Sequence, residues 1–285
     1  MKKKKAIVCR CEDITEEDII KAIKEGYTDI EELRKKLRIG MGPCQGRVCI
    51  QIVRKILEKL LNKEIELSEA EKLLKANFIK DVEGLAQLDI FRQIRTGVPE
   101  VIFAENKNPD LLLTIVKSYL EEHPYVLVSR VTQHQKKALK EVYSTQKNYK
   151  IDVNELAKTI IIRDSDTIPE EKKGIVGLIT AGSSDIPVAE EAKIILDVMG
   201  CEVMSSYDVG IAGIHRIFKP LREMIESGVD VIIVCAGMEG TLPGVVAALV
   251  DVPIIGVPVS SGYGMGGKGE GALTTMLQSC SPGLL

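Results

Sequence analysis

The chain has 285 residues, of which 45% are apolar and 28% charged, and its formal net charge is −3. This length predicts two or three domains, and the mixture is that of a soluble chain with enough apolar residues for a buried core. The charge gives the whole chain no attraction to nucleic acid or to a membrane surface, so neither is expected as a partner. The later apolar runs are about five to eight residues long, far short of the roughly 20 that a bilayer span needs.

The basic run Lys2–Lys5 is interpreted as a solvated chain start rather than as an arm that binds nucleic acid. No apolar stretch follows it, because Cys9, Arg10 and Cys11 intervene, so a signal peptide is not expected. We therefore expect a cytoplasmic protein.

The first predicted domain covers residues 1–63 and is small and mostly helical. A short strand at 6–8 precedes a helix that starts at Thr15, with Asp18 three residues later as in a capping box. A second helix is predicted to open at Thr28. A third is predicted over 49–61, where apolar residues recur at helical spacing.

Four of the seven cysteines lie in this first domain, where they form a C-x-C pair and a C-x4-C pair separated by 32 residues. The candidate metal ligands are Cys9, Cys11, Cys44 and Cys49. In a reducing compartment such a cluster indicates metal ligation before disulfides. One [2Fe–2S] cluster and one tetrahedral zinc ion are the two alternatives. Zinc pairs are more often spaced by two residues, which favours iron.

The second predicted domain covers 67–165 and is a small α/β domain. Helices are predicted at 70–76 and 111–120, and strands at 100–104, 125–131 and 160–162.

The third predicted domain covers 170–285 and alternates strands with helices. The predicted strands are 175–179, 203–206, 231–236 and 254–257, and the predicted helices are 186–199, 213–226, 243–249 and one from about 271. Near-continuous apolar strands separated by helices indicate an α/β fold with a doubly wound parallel sheet.

Small and polar residues follow the first three of these strands. The candidate binding residues are Ser183, Ser184, Asp185, Asp208, Arg216, Gly237, Met238 and Gly240. Amides at the helix start after Ser183 would cradle a phosphate, although a plain turn with Ser184 or Asp185 as the helix cap explains the same residues. Ligands of parallel sheets bind where the carboxyl ends of the strands meet.

Two further residues are candidates for chemistry in these loops. His215 lies beside Arg216 in a glycine-containing loop. Glu239 lies between glycines in an otherwise apolar stretch. A carboxylate is unfavourable in apolar surroundings, so its presence there suggests a function.

The stretches Cys9-Arg-Cys-Glu12 and Ile39-Gly-Met-Gly-Pro-Cys-Gln-Gly-Arg-Val-Cys49 resemble the bacterioferritin-associated-ferredoxin-like (BFD-like) [2Fe–2S] domain. That domain is often fused to flavin-dependent oxidoreductases. The resemblance implies an iron–sulfur cluster on the four cysteines.

The C-terminal strings resemble two related families. The order of Ser184-Asp185, His215-Arg216 and Leu242-Pro243-Gly244 is similar to aminoimidazole ribonucleotide carboxylase, PurE. The stretches Asp208–Arg216 and Met276–Cys280 look more like its relative LarB. The middle segment, including Arg95-Thr-Gly-Val-Pro-Glu-Val-Ile-Phe103, is similar to the LarB N-terminal domain. The resemblance implies a PurE-like, flavodoxin-like three-layer C-terminal domain.

The LarB resemblance implies a step of nickel-pincer cofactor biosynthesis. LarB enzymes carboxylate the pyridinium ring of nicotinic acid adenine dinucleotide, with CO₂ or bicarbonate as co-substrate, and hydrolyse its phosphoanhydride. The products are AMP and pyridinium-3,5-biscarboxylic acid mononucleotide. By position Cys280 matches the nucleophile of the family. Glu239 matches a carboxylate that is suited to proton transfer. The resemblance also implies a homo-octamer, and it leaves open the use of Mg²⁺ and of a redox partner.

Two other functions stay open. Thr241 stands where the purine enzyme has a histidine before Leu-Pro-Gly, which disfavours but does not exclude an aminoimidazole ribonucleotide carboxylase or mutase. An iron–sulfur redox sensor or carrier with a nucleotide-binding α/β domain is the second alternative. The LarB pattern continues beyond Gly283 with a final strand, so we expect a truncated form whose activity is in question.

Overall fold

The computed structural model describes residues 7–46, 49–74, 80–89, 92–166 and 173–285. The Lys2–Lys5 run, the first residue of the strand predicted at 6–8, the end of the helix predicted at 70–76 and the predicted domain start at residue 170 lie outside the described residues. The chain divides into two compact units, Met1–Val101 with Asp110–Val126, and Ile102–Pro109 with Leu127–Leu285. Within the described ranges, no helix is both long and apolar enough to cross a membrane.

The first unit is mainly helical. Its elements are β1 (Ile7–Cys9), β2 (Ile14–Thr15), α1 (Glu16–Lys24), α2 (Ile30–Leu37), α3 (Cys49–Leu61), α4 (Leu67–Leu74), β3 (Lys80–Val82), β4 (Ala86–Leu88), α5 (Arg92–Thr96) and α6 (Pro109–Leu120). The strands β1 and β2 pair with each other, as do β3 and β4, both antiparallel. The apolar faces of α1 to α4 form one core, which includes Ile19, Leu33 and Ile56.

The caps of the first two helices show where local signals were sufficient. The capping box predicted at Thr15 is confirmed, because its hydroxyl accepts from the Asp18 amide and the Asp18 carboxylate accepts from the Thr15 amide at 2.9 Å. The predicted start of α2 at Thr28 is wrong. The cap is Asp29, whose carboxylate accepts from the amides of Glu31 and Glu32 at 2.8 and 3.1 Å.

The second unit contains two four-stranded sheets. Its elements are β5 (Val101–Phe103), β6 (Tyr125–Ser129), α7 (Gln133–Tyr143), β7 (Tyr149–Asn154), β8 (Thr159–Asp164), β9 (Gly174–Thr180), α8 (Ile186–Val198), β10 (Cys201–Ser206), α9 (Phe218–Glu226), β11 (Val231–Ala236), α10 (Leu242–Ala247), β12 (Ile254–Pro258) and α11 (Glu270–Leu277). The first sheet has the order β5-β6-β8-β7. Its α7 and β7 were not predicted, because both are rich in polar residues.

The second sheet confirms the predicted doubly wound fold. Its strand order is β10-β9-β11-β12, and all of its pairings are parallel. This is the order of a flavodoxin-like sheet. Residues Gly283–Leu285 run beside β12, since the Leu285 amide donates to the Ile254 carbonyl and the Ile254 amide donates to the Gly283 carbonyl, both at 2.8 Å.

Apolar clusters built around the buried residues Val234 and Leu178 stabilise this sheet. The single helix predicted over 213–226 is wrong at its start. A 3-10 turn, Ile211–Arg216, precedes α9, because the backbone of Gly213 is non-helical, with φ −132° and ψ 58°.

Candidate functional site

A cavity of about 330 Å³ opens at the carboxyl edge of the parallel sheet. Strand β9 lies between β10 and β11, so the connections after β9 and β10 leave in opposite directions along the sheet. Such a switch point is where open parallel sheets form their ligand crevice. The lining comes from the loops after β9, β10, β11 and β12. The fold therefore brings four separate sequence segments to one place.

The turn after β9 is held by a buried carboxylate. Asp185 is 2% exposed, and it accepts from the Gly182 amide at 2.9 Å and from the Ser261 hydroxyl at 2.8 Å. Ser184 and Asp185 are the two predicted caps of the following helix; Asp185 occupies the N-cap position of α8, but its side chain makes no capping bond to that helix. Asp185 instead ties the loop after β9 to the loop after β12. The first amides of the helical segment keep their capacity to donate to an anion.

The loop after β10 carries an ion pair at the cavity. Arg216 donates to the Asp208 carboxylate at 3.1 Å. Asp208 has a left-handed backbone, with φ 58°. Its amide donates to the Thr180 hydroxyl, and the Val209 amide donates to the Thr180 carbonyl, both at 3.0 Å. The fully buried Thr180 therefore fixes the position of this ion pair, whose guanidinium is suited to phosphate.

The loop after β11 is a tight turn. Met238 and Gly240 both have positive φ, 53° and 63°. Glu239 is exposed in this turn and lines the cavity. Gly240 packs directly on α11, because a Cβ added to it would lie 2.5 Å from the Cα of Ala272. No larger residue allows this approach.

Cys280 lies on a second cavity of about 490 Å³. Its thiol is exposed, and the residue follows α11 by a short turn. Gly240 and Thr241 also line this cavity, and Thr241 lines the first cavity as well. Thr241 is thus a wall residue that the two cavities share.

The predicted site residues divide into three groups. The first cavity is lined by Ser184, Asp185, Asp208, Arg216, Gly237, Met238 and Glu239. The second is lined by Gly240 and Cys280. Ser183 and His215 are exposed and are not among the residues that line these two cavities.

Sequence reasoning missed the supporting role of Thr180, whose only signal was its place at the end of an apolar strand. It correctly left Cys235 out of the site. Cys235 is fully buried, and burial, with a smaller effect of Asp185, raises the pKa of its thiol to about 12. Such a thiol is a poor nucleophile at neutral pH.

The four N-terminal cysteines lie in two segments that contact each other. The Sγ atoms of Cys11 and Cys44 are 3.3 Å apart at the surface, and Cys49 is buried beside the Cys9 thiol. Burial and that neighbouring thiol raise the pKa of Cys49 to about 12. Thiolates at this place therefore need a cationic centre to offset their charge.

The surrounding loop is built closely around these sulfurs. A Cβ added to Gly42 would lie 2.2 Å from the Cβ of Cys11. In the described ranges, no three cysteine, histidine or carboxylate side chains already converge as a metal site. The donor set of two thiol pairs nevertheless fits the four ligands of one [2Fe–2S] cluster.

Three protein-family models match the chain in succession. They are a BFD-like [2Fe–2S] binding domain at residues 7–59, a LarB/PurE-like N-terminal domain at 79–164 and an AIR carboxylase domain at 175–283.

Relatives support the same assignment. An uncharacterized protein of Methanocaldococcus jannaschii is 46% identical over 232 residues, which cover 81% of this chain and 89% of that protein. The N5-carboxyaminoimidazole ribonucleotide mutase of Pyrococcus horikoshii is 36% identical over 96 residues, 32% of this chain and 52% of the mutase. Hydrogen cyanide synthase subunit HcnB of Pseudomonas aeruginosa is 50% identical over 44 residues, 15% of this chain and 10% of that subunit.

The parallel sheet, the cavity at its switch point and the AIR carboxylase match define an enzyme of the PurE-like carboxylase and mutase class. The chain belongs to the LarB family, and a BFD-like [2Fe–2S] binding domain precedes the two domains of that family.

Proposed function

We propose that this enzyme carboxylates the pyridinium ring of nicotinic acid adenine dinucleotide and hydrolyses its phosphoanhydride. The products are pyridinium-3,5-biscarboxylic acid mononucleotide, a precursor of the nickel-pincer cofactor, and AMP. The observation that carries the proposal is the exposed thiol of Cys280 on a cavity that shares Thr241 with the site at the sheet edge. An electron-rich aminoimidazole reacts with CO₂ without a nucleophilic thiol, whereas a pyridinium ring does not.

The first cavity supplies groups for the phosphate part of the substrate. Arg216 presents a guanidinium at the cavity, held by Asp208. Ser184 lies at the start of the helical segment on the opposite loop. A cationic fork and a helix start are two independent ways of binding a phosphate. We assign the dinucleotide phosphates to this cavity.

The second cavity supplies the covalent chemistry. The Cys280 thiolate forms a C–S bond to a ring carbon next to the reacting carbon, and the ring becomes an enamine. The reacting carbon then forms a C–C bond to CO₂. Loss of its proton and cleavage of the C–S bond restore aromaticity and return the thiolate. The net change replaces a ring hydrogen by a carboxylate, releases one proton and transfers no electrons.

Proton handling is assigned to Glu239 of the loop after β11 and His215 of the loop after β10. Glu239 is exposed on the first cavity, two residues before the shared wall residue Thr241, and we assign its carboxylate to take the ring proton where the ring reaches that shared wall. His215 is exposed in the same loop as Arg216, and we assign it as a second proton carrier at the edge of the site.

The N-terminal cysteines Cys9, Cys11, Cys44 and Cys49 are proposed to hold one [2Fe–2S] cluster. Such a cluster supplies one-electron redox chemistry, which the carboxylation does not use. We therefore assign the cluster to regulation or to docking of a redox partner.

In the test, the full chain is incubated with bicarbonate and either nicotinic acid adenine dinucleotide or aminoimidazole ribonucleotide. The products are identified by mass spectrometry. We expect carboxylated mononucleotide and AMP from the dinucleotide. Cys280→Ala is expected to lose the carboxylated product, and Cys201→Ala, a half-buried cysteine of β10, serves as the matched control.

Two results would contradict the proposal. If aminoimidazole ribonucleotide were the only substrate turned over, the chain would have the activity of its mutase relatives instead. Unchanged carboxylation by Cys280→Ala would remove the thiolate from the mechanism.

A further inference from the structure

A buried carboxylate outside both cavities bonds to one residue from each of the two sheet-forming parts of the second unit. Glu190 of α8 is 9% exposed. It accepts from the Tyr207 hydroxyl and from the Asn154 side-chain amide, the latter at 2.5 Å. A buried carboxylate without donors is strongly unfavourable. These two donors therefore satisfy the buried carboxyl group of Glu190.

The three residues come from different parts of the chain. Asn154 ends β7, in the range that matches the LarB/PurE-like N-terminal domain. Glu190 and Tyr207 belong to the AIR carboxylase domain. The carboxylate thus joins residues of the two domains, and all three of these residues lie in the second unit.

Tyr207 directly precedes Asp208, the residue that holds Arg216. Asp208 has a left-handed backbone, and such a conformation persists only where the surroundings hold it on several sides. Thr180 holds it through the amides of Asp208 and Val209. The bond between Tyr207 and Glu190 anchors the chain on the preceding side.

Tyr207 keeps its donor proton at neutral pH. Burial, followed by the hydrogen bond to Glu190, raises the pKa of its hydroxyl above the ordinary value. The anchor is therefore present whenever the carboxylase works near neutrality.

We propose that Asn154 is a positioning residue for the carboxylase site. By donating to Glu190 it orients that carboxylate toward Tyr207, and the anchored Tyr207 fixes the Asp208–Arg216 pair that binds the anionic part of the substrate. The middle domain then contributes a residue that positions the active site. The choice of substrate in the test rests on the proposed function, but the positioning itself does not.

Two variants each remove one of the donors to Glu190. The Asn154 side-chain oxygen also accepts from the Ala157 amide at 3.0 Å. Asn154→Asp keeps this local acceptor, loses the donor to Glu190 and sets a second carboxyl group against it. Tyr207→Phe removes the other donor and leaves Asn154 unchanged.

A matched control lies one residue along α8. Arg130 and Glu191 form an ion pair at 3.0 Å that joins the same two domains. These side chains are 51% and 32% exposed, and neither contacts Tyr207 through a hydrogen bond. Arg130→Ala therefore weakens the contact between the domains without touching the anchor.

The experiment measures hydrogen exchange of the peptide that covers residues 207–213 and the steady-state kinetics of the full chain. We expect Asn154→Asp and Tyr207→Phe to speed amide exchange at Val209 at least tenfold. They should raise the KM for the dinucleotide about tenfold, with kcat changed less than threefold. Arg130→Ala should leave exchange and KM unchanged.

The outcomes separate the positioning role from the proposed function. Equal effects of Asn154→Asp and Arg130→Ala would overturn the inference, since they would show a general role in domain contact. Unchanged exchange in both Asn154→Asp and Tyr207→Phe would overturn it as well. If the wild-type chain does not turn over the dinucleotide, the proposed function fails, and the exchange data alone decide on Asn154.

Discussion

Replacing Gly240 by alanine tests how the loop after β11 packs on α11, the helix that precedes Cys280. Gly240 has φ 63°, and an added Cβ would lie 2.5 Å from the Cα and 2.7 Å from the carbonyl oxygen of Ala272. These are backbone atoms of α11, so no side-chain rotation relieves the overlap. The helix must move away, and Cys280, which follows it, must move with it.

The expected loss of stability has two parts. A left-handed backbone at a residue with a Cβ costs about 1–2 kcal/mol. Forcing a methyl group into a packed contact costs a further 1–3 kcal/mol or so. Gly240→Ala should therefore lower the free energy of unfolding by about 2–5 kcal/mol. In a unit of this size each kcal/mol lowers the melting temperature by about 2–4 °C.

Gly228→Ala is the matched control, because Gly228 has φ 73° and no heavy atom within 4 Å of an added Cβ. It carries the backbone strain without the overlap. The assay is thermal unfolding followed by circular dichroism, together with the alkylation rate of Cys280 measured by peptide mass spectrometry. Equal melting temperatures and equal alkylation rates in the two variants would refute the reasoning.

Three other outcomes follow from the contacts described. Thr15→Ala should cost the first unit about 1 kcal/mol, because the Asp18 amide loses its acceptor; an unchanged melting curve would contradict the capping box. Arg216→Ala should raise the KM for the dinucleotide about 10- to 100-fold. Arg216→Lys should restore only part of the lost affinity, because lysine lacks the planar guanidinium; a wild-type KM in Arg216→Lys would mean that the positive charge alone is sufficient for binding. Cys44→Ser should remove the visible absorbance and most of the bound iron, whereas Cys201→Ser should keep both; an intact spectrum in Cys44→Ser would exclude that thiol as a ligand.

Local signals predicted the elements well where neighbours in sequence decide them. The capping box at Thr15 and the parallel strands were both readable, because each depends on a pattern within a few residues. The start of α2 was wrong by one residue because Thr28 and Asp29 are both good caps. The break at Gly213 was missed, since a single glycine inside an apolar periodicity gives little warning.

The site was harder to predict because its supports are distant in the chain. Asp185 looked like a helix cap, which is its most common local role. Its partner Ser261 lies 76 residues away, and only the sheet order brings the two loops together. Glu190 gave no signal at all, since a glutamate on an amphipathic helix is usually solvated.

The sequence alone determined the kind of each domain, the set of four N-terminal cysteines and the family, because periodicity and motif strings are local properties. Only the tertiary structure decided which groups meet. It placed Cys280 on a cavity of its own, gave that cavity and the first a shared wall residue in Thr241, and buried Glu190 between two domains. The physical reason is that left-handed turns and hydrogen bonds between distant loops depend on the packing of the whole sheet, which no local pattern specifies.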